Sequence, residues 1–122
     1  MTKPDPQQDL VKVAAGYLRR STDRQEQSLE DQRQAIETYA EREGFTVIDW
    51  YVDDAISGTT TEARKAFQAL IEASQKPKCS FRYVLVYDVK RFGRVDTDEA
   101  GYYRHLLRRA GVEVVYTSEG FN

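Results

Sequence analysis

Four short runs of β-forming residues alternate with three stretches of helical periodicity, and this alternation restricts the fold more than any other feature of the chain. Val11, Val13, Ala15, Tyr17 and Leu18 form a small-residue apolar run suited to a strand buried on both faces, ending in a basic turn at Arg19-Arg20-Ser21. After a polar loop, Ser28 and Asp31 have the spacing of a capping box. Leu29, Ala35, Ile36, Tyr39 and Ala40 then recur at helical intervals until Gly44 offers a C-cap. Phe45, Val47, Ile48, Trp50, Tyr51 and Val52 predict a second strand, followed by an acidic, glycine-bearing loop from Asp53 to Thr60. Ala66, Phe67, Leu70 and Ile71 mark a second helix that stops before Pro77, and Phe81 to Tyr87 predicts the third strand. Tyr103, Leu106, Leu107 and Ala110 form a third helical stripe closed by Gly111, and Val112, Val114 and Val115 a fourth strand. Connections of crossover length between such strands predict an α/β fold. Its central sheet is mostly parallel, with helices on both faces, flavodoxin-like in plan. Residues 1–9, polar with two prolines, read as a disordered lead-in, and 10–122 as one folded domain.

Composition narrows the chemistry. With 40% apolar and 31% charged residues the chain has material for a core, and no run approaches the ~20 apolar residues of a membrane span. One cysteine excludes a disulfide framework and cannot by itself form a thiolate metal site; the first ten residues lack a signal-type apolar run, so a cytoplasmic location is expected. One histidine excludes paired-imidazole metalloprotease motifs. No cofactor or metal is expected. Eighteen Lys and Arg against twenty Asp and Glu give a net charge of −2, which argues against bulk electrostatic attraction to DNA; the distribution of the cations matters more. In parallel sheets ligands sit beyond the carboxyl ends of the strands. The segments leaving the first and third strands there are Arg19-Arg20-Ser21 and Lys90-Arg91-Phe92-Gly93-Arg94, the densest cations of the chain.

A serine hydroxyl needs a base or a strong positive field to act as a nucleophile, and attack on a phosphodiester also needs cations around the developing oxyanions. Ser21 has arginine neighbours and no nearby histidine. Arginine stays charged and binds phosphate through a planar fork, so several arginines could replace the metal ions common in phosphoryl transfer. An ordinary turn carrying solvated arginines accounts for the same residues more plainly. Gln32 lies on the apolar face of its helix, where a buried amide needs a partner, and could face Ser21. Arg64-Lys65 follows Ser57-Gly58-Thr59-Thr60-Thr61, a stretch composed to close over a backbone ligand. Arg91 and Arg94, three apart around Gly93, could aim at one anion; as cations near a helix start they oppose its dipole, which suggests an anionic partner. His105 is expected on the surface, Cys79 is expected to be incidental, and Trp50 to be core.

At this point three ordered motifs resemble those of the serine recombinases, the group of resolvases, DNA invertases and large serine integrases and transposases. Tyr17-Leu18-Arg19-Arg20-Ser21-Thr22 with Gln25-Glu26-Gln27-Ser28-Leu29-Glu30-Asp31-Gln32 resembles their nucleophile segment. Ser57-Gly58 through Arg64 resembles the second motif, and Tyr87-Asp88-Val89-Lys90-Arg91-Phe92-Gly93-Arg94 the third. The resemblance spans roughly Val11 to Phe121. The wide interval between Ser21 and Gln32 and the wording of the third motif are similar to the large integrase and transposase branch.

The resemblance implies a resolvase-type catalytic domain that stops before a dimerisation helix and a DNA-binding region, inactive in recombination alone and with weak, salt-sensitive DNA affinity. It implies that Ser21 attacks the scissile DNA phosphate to give a 5′-phosphoserine intermediate and a free 3′ hydroxyl, followed by strand exchange and religation without ATP. Arg19, Arg64, Arg91 and Arg94 then bind the phosphate and stabilise the transition state, with Tyr17 and Gln32 in support. Lys90 stands where many members carry an acid; either Asp88, two positions earlier, supplies that carboxylate or none is needed. The implied partners are double-stranded recombination sites and further copies of the chain, as homodimers and a synaptic tetramer, with no membrane. Two alternatives accompany this assignment: a catalytically dead DNA-binding relative, raised by Lys90, and a receiver-type phosphoacceptor module using Asp53, Asp54 and Asp88.

Overall fold

The computed structural model describes residues 12–21, 28–56, 64–88, 92 and 98–119. The elements alternate as expected: β1 (Val13–Ser21), α1 (Leu29–Glu43), β2 (Thr46–Ile56), α2 (Lys65–Ser74), β3 (Tyr83–Val86), α3 (Asp98–Arg109), β4 (Glu113–Tyr116) and a 3-10 turn at Thr117–Glu119. The four strands form one sheet in the order β2-β1-β3-β4, and every pairing is parallel. The lead-in over 1–9 lies outside the described residues.

Side chains alternate across β1, so it feeds two cores. Ala15 and Tyr17 join Phe67, Leu70 and Ile71 of α2, Leu107 of α3, Val84 and Val86 of β3, and Phe81, Phe92 and Val112 on one face. Ala14 and Leu18 meet Ile36 and Ala40 of α1 and Leu85 of β3 on the other. Helices therefore cover both faces. Helix α1 begins where Ser28 Oγ accepts the Asp31 N–H at 3.0 Å and ends where Gly44 takes φ +82°, a left-handed conformation that penalises any Cβ. A second glycine is required by proximity: a Cβ on Gly16 in β1 would lie 2.4 Å from the Trp50 ring. Trp50 crosses that gap with Arg33 of α1 stacked 4.8 Å from its centroid, so it is a partly buried bridge and not the core residue expected.

Two expectations need correction. Arg19-Arg20-Ser21 is not a turn, and Asp53 to Ile56 are not loop: β1 and β2 continue through them, with Arg19 opposite Asp53 and Ser21 opposite Ile56. Between these pairs β2 carries one extra residue, a bulge of the kind that re-aims side chains at a sheet rim. Polar composition suggested a loop because these residues occupy the working end of the strands, where side chains serve a site instead of a core. The third strand is also shorter than predicted: Phe81 is buried ahead of it, and Tyr87 lies beyond its end. Helix α3 begins five residues before Tyr103, the first residue of its apolar stripe.

Candidate active site

The chain runs outward from β1 to β2 and then crosses back to β3, so the connections diverge between β1 and β3. In folds of this class ligands bind at such a switch point, outside the carboxyl ends of the strands. Ser21 is the last residue of β1 and stands at this edge; only its backbone is described.

β3 pairs with β1 no further than Tyr17 opposite Val86. Beyond that, Gln32 takes over the role of a strand. From α1 its side chain accepts the Arg19 N–H at 3.3 Å and donates to the Arg19 carbonyl at 3.0 Å. Gln32 is fully buried, as its place on the apolar face of α1 requires, and its partner is the backbone two residues before Ser21. A helix thus fixes the last turn-free stretch of the strand that ends at Ser21.

On the α2 side of the sheet lies a buried polar chain. Tyr17 Oη donates to Asp53 Oδ2 at 2.8 Å, and Arg64 Nε donates to Tyr17 Oη at 3.2 Å. Arg64 Nη2 donates to the Phe92 carbonyl at 2.6 Å. Helix α2 has no side-chain cap of its own at Arg64; Asp53 supplies one from β2, its two oxygens accepting the N–H groups of Ala66 (2.9 Å) and Phe67 (3.0 Å). A carboxylate there is favoured by both the hydrogen bonds and the helix dipole. The Arg64 guanidinium lies 4.0 Å from the Phe67 ring centroid, and Phe92 meets Phe67 edge to face at 5.4 Å. Arg64 is only 5% exposed. It therefore ties β1, α2 and the segment around Phe92 together from inside.

Burial, the largest effect, and the Asp53 carboxylate raise the Tyr17 pKa well above the ordinary phenol value, against the opposing pull of Arg64. Tyr17 stays a neutral phenol between a cation and an anion, donating to one and accepting from the other. This commitment of Asp53 removes the receiver-type alternative. Asp54 points to the opposite face and pairs with Arg20 at 3.1 Å, and among the described residues no three acids, histidines or cysteines gather to hold a metal.

Of the residues expected at the site, Tyr17, Arg19, Gln32 and Arg64 are thus brought to one edge. Asp88 follows the end of β3 there, half-buried. Lys90, Arg91 and Arg94 lie outside the described residues, as do Ser57 to Ala63 of the second motif. Asp53 was expected only as part of the receiver-type alternative, not in the recombinase site. Its signal was indirect: a helix starting at Lys65 with no local cap needs an acceptor from elsewhere.

The model of the family described as resolvase, N-terminal domain, matches residues 14–122. The chain belongs to the resolvase family of serine recombinases. This recombinase domain is similar in structure to the N-terminal catalytic domain of TP901-1 integrase, with a TM-score of 0.77 and 30% identity over 88% of this chain and 78% of that one. It is also similar to the C-terminal catalytic domain of ISC1926 TnpA, an IS607-like serine recombinase (TM-score 0.71, 28% identity, 85% of this chain and 68% of that one). A resolvase family site-specific recombinase from Streptococcus pneumoniae matches with a TM-score of 0.74 and 26% identity over 89% and 74% of the two chains. No curated protein sequence matches it significantly.

As a member of this family the recombinase domain catalyses DNA cleavage and rejoining, and no described helix is long and apolar enough to cross a membrane. Cys79 remains incidental to the site. Its thiol lies 3.3 Å from the Phe81 carbonyl, a weak bond at the opposite end of the sheet, and His105 is exposed on α3.

Proposed function

We propose that Ser21 is the nucleophile of site-specific recombination and that the Tyr17-Asp53-Arg64 network shapes the pocket in which it works. The Ser21 oxygen attacks the scissile phosphorus, the bond to O3′ breaks, and that oxygen leaves as a 3′ hydroxyl while the serine proton is lost. The phosphoserine ester on the 5′ end keeps the bond energy, and attack by the exchanged strand's 3′ hydroxyl restores the serine. Arg19, Arg91 and Arg94 meet the charge on the phosphate oxygens, which suits planar guanidinium forks. Arg64 adds its field from behind the site and, through the Phe92 carbonyl, fixes the segment bearing Arg91 and Arg94. That bond is the observation that carries the proposal, because it links the nucleophile strand to the arginine motif through one buried side chain. Gln32 holds the strand, and Asp88, two positions before Lys90, supplies a carboxylate in place of an acid at position 90.

The partners are duplex recombination sites in the cytoplasm, engaged by homodimers that pair into a tetramer to exchange strands. Sheared chromosomal DNA from the source organism, incubated with the full-length recombinase in EDTA and quenched in denaturant, tests the nucleophile. Adducts recovered with the protein on the 5′ end are expected for wild type and none for Ser21→Ala. Adducts that persist in Ser21→Ala would assign the attack to another residue. DNA bound specifically by wild type without adducts would identify a catalytically dead relative.

A further inference from the structure

Consecutive arginines on a strand point to opposite faces. Tyr17 belongs to the α2 face and Leu18 to the α1 face, so Arg19 emerges beside the Tyr17-Asp53-Arg64 network and Arg20 emerges on the other side. From a rigid strand the two guanidiniums start on opposite faces of the sheet. Arg20 is paired with Asp54, which follows Asp53 where β2 bulges and meets Arg20 on its own side of the strand. Arg20 Nε and Nη2 both reach the same oxygen, Asp54 Oδ1, at 3.1 Å. This single-acceptor contact forgoes the parallel two-oxygen geometry that makes guanidinium-carboxylate pairs strong. Both side chains are also open to water, at 41% and 51% exposure, so solvent screens the pair. The surface around them is uncovered as well: α1 leaves Val52 43% exposed on the same face.

We propose that Arg20 is a second phosphate contact, held by Asp54 in the free domain and transferred to the DNA backbone when the site engages. A DNA strand crossing the end of β1 sets the attacked phosphate on the Arg19 side. A neighbouring phosphate then falls on the Arg20 side, where its oxygens offer the two-acceptor geometry that Asp54 does not. The proposal rests on the domain's action on DNA but assigns a contact away from the reacting phosphate, with Asp54 as a competitor that weakens binding.

The test measures binding of the chain to a short duplex at low salt and the slope of log K against log salt. Arg20→Gln is expected to weaken binding on the order of tenfold and to reduce the slope by about one, the share of one neutralised phosphate. Arg20→Lys restores the slope, and Asp54→Asn tightens binding by roughly threefold with the slope unchanged. An unchanged slope in Arg20→Gln would overturn the proposal, and so would weaker binding in Asp54→Asn, which would make the pair a structural brace. If wild type shows no salt-dependent binding at all, the DNA-binding premise itself fails, an outcome distinct from either of these.

Discussion

Asp53 does three jobs with two oxygens: it accepts from Tyr17 and from two N–H groups at the start of α2. Asp53→Asn keeps the shape but replaces one acceptor by a donor facing N–H groups, and it removes the negative charge from the network that Arg64 joins through Tyr17. A loss of about 3 kcal/mol is expected, seen as a fall of roughly 10 °C in Tm by calorimetry. Gly16→Ala forces the Trp50 ring off β1 and off the Arg33 stack, at about 1–3 kcal/mol, and the freed indole should red-shift its fluorescence. These residues differ in how far the sequence disclosed them. Gln32 was legible because a buried amide on an apolar helix face has to find a partner. Asp53 was not, because its partners in the network are 36, 13 and 14 positions away and its neighbour Asp54 is equally acidic. Period-two counting does not choose between them either: the register of β2 shifts between Val47 and Asp49, so Val47 and Trp50 share a face although three positions separate them.

At the scale of elements, the best-announced piece is α1, whose Ser28 and Gly44 caps act through local geometry that a sequence states directly. The strand ends were hidden for the opposite reason. Their pairing depends on a partner strand some 34 residues away, and their side chains face a site whose polarity looks like a loop. Gln32→Leu tests how α1 supports β1. It preserves the apolar face of the helix while stripping the Arg19 N–H and carbonyl of their partner, so stability should fall by about 1–3 kcal/mol. Covalent adduct formation, assayed well below the variant's Tm, should fall further than the folded fraction does, because the residue displaced lies two positions from Ser21, the proposed nucleophile. Equal losses in both would reduce Gln32 to a packing role.

For the whole molecule, the parallel sheet and its helix coverage were readable from alternation alone, since connections of that length leave few other ways to join strands. Its pH response was not, because it arises from depth. Tyr17 titrates higher in the folded than in the unfolded chain, so the folded state keeps a proton that the unfolded state gives up. Its contribution is therefore fully present below about pH 10, the ordinary phenol value, and is lost as pH rises through the raised folded value. Tyr39 and Tyr51, raised mainly by burial, act in the same direction. Denaturant melts from pH 7 to 11.5 should show a plateau followed by a decline, shallower in Tyr17→Phe yet not abolished.

The bonds of the Arg64 network join positions 36, 47 and 28 apart in the chain. None of them can form within a single hairpin or helical turn, so an incompletely folded or nascent chain holds no part of the network. With the role proposed for that network, the capacity to break DNA is withheld until the sheet and its helices are assembled, a safeguard that comes from connectivity and needs no inhibitor.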